Sequence, residues 1–169
     1  SAALADLVPV APGPGDIFYT GSNCTIVWDV DTTGTWKNVS IDLMTGPNNA
    51  MIFVTNVVTG LDGTSNSLTP YDWTCPDVDP HSAIYFYQFT NGRNTSNAQW
   101  TTRFTIASPS GAPTSPDNAT QPNGDAIPWG TGRLASNSSG SSVGVEVLAT
   151  SAASSYTVSS LVAEQAAST

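Results

Sequence analysis

Apolar and polar positions alternate with a period of two through much of residues 17–106 and nowhere settle into a helical period. Residues 6–15, with three prolines and two glycines, suit an irregular or edge strand. Residues 17–20 are a short strand bounded by Gly21. Cys24, Ile26, Trp28 and Val30 then share one face, with Thr25, Val27 and Asp29 on the other. DTTGT at 31–35 is a turn, after which Val39, Ile41 and Leu43 alternate with Asn38, Ser40 and Asp42. Residues 50–58 are almost wholly apolar or β-branched and predict a strand covered on both sides, and residues 67–69 a brief one before Pro70. In residues 81–90, Ala83, Tyr85, Tyr87 and Phe89 face one way and Ile84 and Phe86 the other. Asn91-Gly92 ends this strand in a hairpin turn, and Trp100, Thr102, Phe104 and Ile106 predict the inward face of the last strand.

About seven short strands in about 100 residues predict an all-β, antiparallel β-sandwich of immunoglobulin or fibronectin type III style. The two cysteines, Cys24 and Cys75, allow one bridge, and its formation requires an oxidising compartment. Their placement departs from a true immunoglobulin domain, because Trp28 follows Cys24 by only four residues and Cys75 sits between Pro70 and Pro76. A bridge pinning that loop to the Cys24 strand fits better than one between sheets.

Composition divides the chain into a sandwich at 1–107 and a Ser/Thr-rich, mostly irregular tail at 108–169. SPSGAPTSP reads as a linker, and 20 of the last 62 residues are Ser or Thr. Apolar positions interrupt the tail at Trp129, Val143, Val145, Val147, Leu148, Tyr156, Leu161 and Val162. A purely solvating stalk does not need them, so they pack either on their own domain or on a partner.

Only 10% of residues are charged and the net charge is −9, which argues against nucleic acid and anionic membrane surfaces as partners. No apolar run is long enough to span a bilayer. Low charge with 43 Ser and Thr suits a glycosylated extracellular protein. Asn23, Asn38, Asn94, Asn118 and Asn137 head Asn-X-Ser/Thr sequons, for which unmodified turn asparagines are the alternative. SAALA at the start resembles the small-residue end of a signal peptide, as expected of a mature secreted form.

Catalytic chemistry finds little footing. His81, the single histidine, cannot build a zinc site with both cysteines bridged, and no nucleophile elbow or phosphate-cradling glycine loop is present. We therefore expect no metal, no cofactor and no catalytic residues. Asp72, Asp77 and Asp79 cluster around Cys75, and Asp29 and Asp31 flank Val30. Carboxylates so placed either cap turn N–H groups, act as a glycosidase pair or ligate calcium. Trp36, Tyr71 and Trp73 fall at strand ends or loops, where they either lid the core or stack on a sugar, whereas Trp28 and Trp100 belong to core faces.

Residues 12–107 resemble the domain of fungal Ser/Thr-rich, GPI-anchored cell-wall proteins related to the yeast proteins required for wall β-1,6-glucan. The resemblance lies in GDIFYTGSNCTIVWDV, TWKNVSIDLMTG, SAIYFYQFTNG and QWTTRFTIAS. It implies a non-catalytic β-sandwich module of the cell surface and carries over no functional residue. EQAAST lacks the hydrophobic tail of a GPI signal, which was either removed or never present in a freely secreted relative. The expected function is thus a secreted fungal glycoprotein associated with cell-wall polysaccharide. Size and composition are also similar to those of the small subunits of two-subunit fungal laccases, which makes an accessory subunit, its tail wrapped around a larger enzyme, the second expectation. A small hydrolase using the Asp72, Asp77 and Asp79 cluster is the third.

Overall fold

The strand at Cys24 runs through the middle of the smaller of two facing sheets. In the computed structural model, which describes residues 3–135, β1 (Val8–Ala11), β3 (Asn23–Asp29) and β6 (Tyr71–Thr74) form a three-stranded sheet in the order β1-β3-β6. Opposite it, β2 (Ile17–Tyr19), β4 (Val39–Thr45), β5 (Ile52–Leu61), β8 (Ser82–Asn91) and β10 (Phe104–Ala107) take the order β2-β10-β8-β4-β5, and β9 (Asn94–Trp100) also pairs with β8. The short β7 (Val78–Asp79) and β11 (Arg133–Leu134) complete the described strands. Among the described residues there is no helix, so none long and apolar enough to cross a membrane. The all-β sandwich expected from the alternation is the fold observed, with one parallel pair, β2 with β10, inside an otherwise antiparallel set.

Aromatic side chains hold the sheets together. Trp28 of β3 meets Phe89 of β8 edge-on at 5.6 Å, Trp73 of β6 meets Tyr87 at 6.3 Å, and Tyr87 stacks on Phe104 at 5.1 Å. Cys24 and Cys75 are bridged and buried, Cα atoms 5.1 Å apart. Because Cys24 lies opposite Trp73 in the β3–β6 ladder, the bridge ties neighbouring strands of one sheet, as the cysteine placement suggested.

Several elements differ from the expectation. The residues just before Cys75 form a strand, since Tyr71, Asp72, Trp73 and Thr74 pair with β3, and Cys75 itself sits in the loop that follows. Residues 67–69 form no strand. β5 is not covered on both faces: it is an edge strand, with Ile52 and Phe53 exposed, and its apolar run reflects β propensity more than burial. The hairpin after β8 turns at Gly92 and Arg93, both at φ 61°, so the left-handed pair begins one residue later than Asn91-Gly92. Gly63 must lack a side chain, because a Cβ there would stand 2.7 Å from the Trp36 carbonyl oxygen.

Ser1–Arg133 is one compact unit, so packing continues well past residue 107. Residues 112–130 return as a strap over the larger sheet. Thr114 N–H donates to the His81 carbonyl (2.8 Å), Ser82 Oγ donates to the Thr114 carbonyl (2.8 Å), and Asn118 and Trp129 exchange backbone hydrogen bonds. The Gly130 carbonyl accepts from Gly46 N–H (2.9 Å) and Thr45 Oγ1 (3.0 Å). Proline, serine and glycine gave this stretch the composition of a linker, yet its backbone groups find fixed partners on the sandwich.

Candidate functional site

On the face of the larger sheet turned away from the core, β8, β9 and the strap enclose an open groove of about 850 Å³, within the range of small-molecule and oligomer sites. Its floor is Phe86, which alternates with the core-facing Tyr85 and Tyr87. Ala83 lines it too, although simple alternation groups Ala83 with Tyr85. The β8–β10 register shifts between Phe104↔Tyr85 and Ile106↔Ser82, and that extra residue reverses the side-chain parity.

Trp100 forms one wall. It ends β9 opposite Gln88, is 42% exposed, and donates from Nε1 to Gln88 Oε1 at 3.0 Å. Its expected place on the inward face assumed one strand through residues 100–106. The chain breaks instead: Thr101 N–H donates to the Tyr87 carbonyl, and Thr101 Oγ1 accepts from Tyr87 N–H at 2.9 Å. The hydroxyl thus takes a position a backbone carbonyl holds in a ladder, and Trp100 is freed from the parity of Phe104.

Arg103 crosses the floor. Its guanidinium carbon lies 4.6 Å from the Phe86 ring centroid and Nη2 donates to the Gly46 carbonyl at 2.7 Å. Nε is buried without a hydrogen-bond partner, and among the described residues Arg103 forms no ion pair. Burial lowers its pKa, the direction expected of a desolvated cation, and leaves it charged. The cation–π contact offsets part of that cost, by about 0.5–2 kcal/mol. An unmatched buried N–H costs about 1–3 kcal/mol. The strap supplies the opposite wall with Pro116, Ile127 and Pro128, and Asn48 and Thr102 lie exposed at the rim.

The residues singled out for carbohydrate contact do not come together here. Trp36 is 1% exposed and closes the core, its N–H donating to Asp31, so it offers no sugar face. Trp73 is half-buried, donating from Nε1 to Tyr87 Oη (2.9 Å), and Tyr71 is half-buried two residues away. Asn23, Asn38 and Asn94 are exposed and accessible to a glycan; Asn118 is half-buried with its backbone paired to Trp129. Trp129 packs within its own unit, donating from Nε1 to the Thr120 carbonyl (2.9 Å). Asn137, Val143, Val145, Val147, Leu148, Tyr156, Leu161 and Val162 lie outside the described residues.

The acidic cluster is dispersed among separate partners. Asp72 accepts from Thr25 Oγ1, Asp77 pairs with His81 Nε2 (3.0 Å), and Asp79 pairs with Arg133 (2.9 Å). Among the described residues no three His, Cys, Asp or Glu come together as a metal-ligand group. The groove residues carried no binding motif, although Ala83, Phe86, Trp100, Thr101, Thr102 and Arg103 fall within the family-like stretches SAIYFYQFTNG and QWTTRFTIAS. The unusual signal was Arg103 itself, one of only four basic residues, set between threonines and a phenylalanine.

Comparison with known proteins adds the family. A family model described as the Kre9/KNH-like N-terminal Ig-like domain matches residues 11–106. Neither a curated protein nor a solved structure matches the chain.

Proposed function

The chain belongs to the Kre9/KNH-like family of fungal cell-wall, glucan-related proteins, and from that premise we propose that it is a non-catalytic extracellular glycoprotein module that associates with wall polysaccharide. The observation that carries this reading is the family match itself, which spans the sandwich from Ala11 to Ile106. The disulfide agrees with an oxidising, extracellular setting. Exposed sequons at Asn23, Asn38 and Asn94 agree with glycosylation.

Support for a binding rather than hydrolytic role comes from the carboxylates. Asp72, Asp77 and Asp79 each serve a different structural partner, whereas glycoside hydrolysis requires two carboxyls converging on one substrate bond. Retention of the intact protein on insoluble β-1,6- and β-1,3-glucan, against chitin and mannan controls, tests the reading. Retention on a β-glucan without release of reducing sugar is expected. Failure to bind every glucan overturns the association, and sugar release that disappears in Asp77→Asn overturns the non-catalytic assignment.

A further inference from the structure

We infer that the groove over Phe86 is the saccharide site, with one face of a pyranose ring resting on Trp100 and Arg103 donating to its hydroxyls. This rests on the glucan-associated reading above and gives that reading a place on the molecule. Two independent features lead to it. Trp100 is a large apolar surface held in water, its ring fixed by the hydrogen bond to Gln88. A fixed indole offers a flat face at little entropic cost on binding. A pyranose has a matching apolar C–H face.

The second feature is Arg103. Its buried Nε–H has no acceptor, although the guanidinium is anchored at the other end by the Gly46 carbonyl. Buried polar groups are normally paired, so the unpaired Nε–H of this groove-lining residue marks Arg103 as the side chain that a small shift would turn onto a ligand oxygen. The charge of the surroundings narrows the ligand class. Asn48 and Thr102 at the rim are neutral, and a net charge of −9 repels a polyanion. An uncharged polyol with one apolar face meets all three conditions: stacking area, acceptor oxygens and no negative charge of its own.

Titration of the intact protein with soluble β-1,6- and β-1,3-linked glucose oligosaccharides, followed by calorimetry, tests the inference. Trp100→Ala is expected to weaken binding at least tenfold. Arg103→Lys, which keeps the charge but loses the Nε donor, is expected to weaken it several-fold. Thr102→Trp, at an exposed rim position, fills the groove mouth and is expected to weaken binding without disturbing the core, which an unchanged melting temperature checks. Trp73→Phe is expected to bind as the unaltered protein does. Glucan binding that survives Trp100→Ala and Thr102→Trp within twofold overturns the groove assignment while the wall-association reading stands. If the unaltered protein binds no glucan, soluble or insoluble, that reading itself falls. Binding in the groove of an apolar carboxylate, such as a medium-chain fatty acid, without binding of oligosaccharide overturns the saccharide assignment.

Discussion

At Asp31, burial and hydrogen bonding pull the carboxyl in opposite directions. Burial alone would raise its pKa, but hydrogen bonds from Thr33 Oγ1 and from the N–H groups of Trp36, Thr33 and Thr35 override it and hold the pKa at about 2, below the ordinary 3.8. A depressed carboxyl pKa stabilises the fold above the unfolded value, and that stability is lost as pH falls through the folded one. The shift corresponds to roughly 2 kcal/mol, gained above pH ~4 and gone below pH ~2. Asp31→Asn is therefore expected to lower stability at neutral pH by about 2 kcal/mol and to flatten the urea-unfolding profile between those pH values. Such a cap was legible in the sequence, because Asp heads the DTTGT turn and turn aspartates bind nearby N–H groups. Trp36 and Trp100 were not. Local alternation cannot show that the Trp36 carbonyl accepts from Gly63 or that a threonine hydroxyl breaks the strand after Trp100.

Among the elements, the strap shows how a segment of linker composition is fixed. Gln121 is 3% exposed; its Oε1 accepts from Asn48 N–H (2.8 Å) and its Nε2 donates to the Ile127 carbonyl (2.9 Å). One amide therefore locks the strap to the β4–β5 turn and also closes the strap's own turn. Gln121→Ala leaves both backbone groups unpaired, at about 1–3 kcal/mol. The expected readout is local: faster amide exchange and proteolytic nicking within residues 112–130, with the sandwich strands protected as before. A general fall in protection across β3 and β8 would contradict that separation. The strands themselves were largely legible because β3 alternates against the core and the sequences of β4 and most of β8 keep the same period of two. The strap was not, since its hold depends on single polar side chains and backbone carbonyls that leave no periodic trace. β5 misled for a related reason: valines and threonines suit any strand, at an edge or in the middle.

For the molecule as a whole, the family match ends at residue 106 while the compact unit runs to Arg133, and the groove uses both parts. The sheet supplies Phe86, Trp100 and Arg103; the strap supplies the facing wall. The fold class was thus readable from the first 107 residues, but the site was not, because one of its walls, formed by Pro116, Ala126, Ile127 and Pro128, comes from chain beyond them. The disulfide acts at the same scale. Closing a loop over a sequence separation of 51 removes chain entropy worth roughly 4 kcal/mol from the unfolded state. Cys24→Ser with Cys75→Ser is expected to lower unfolding free energy by about that amount in denaturant titrations. The same bridge also shapes how the molecule yields to a pulling force. Pulled from its two ends, the chain cannot pay out the segment between Cys24 and Cys75 while the sulfurs are joined. At about 3.4 Å per residue that withholds roughly 170 Å of length. Stretching a single molecule before and after reduction should show that extra extension, released only when the bond is cut.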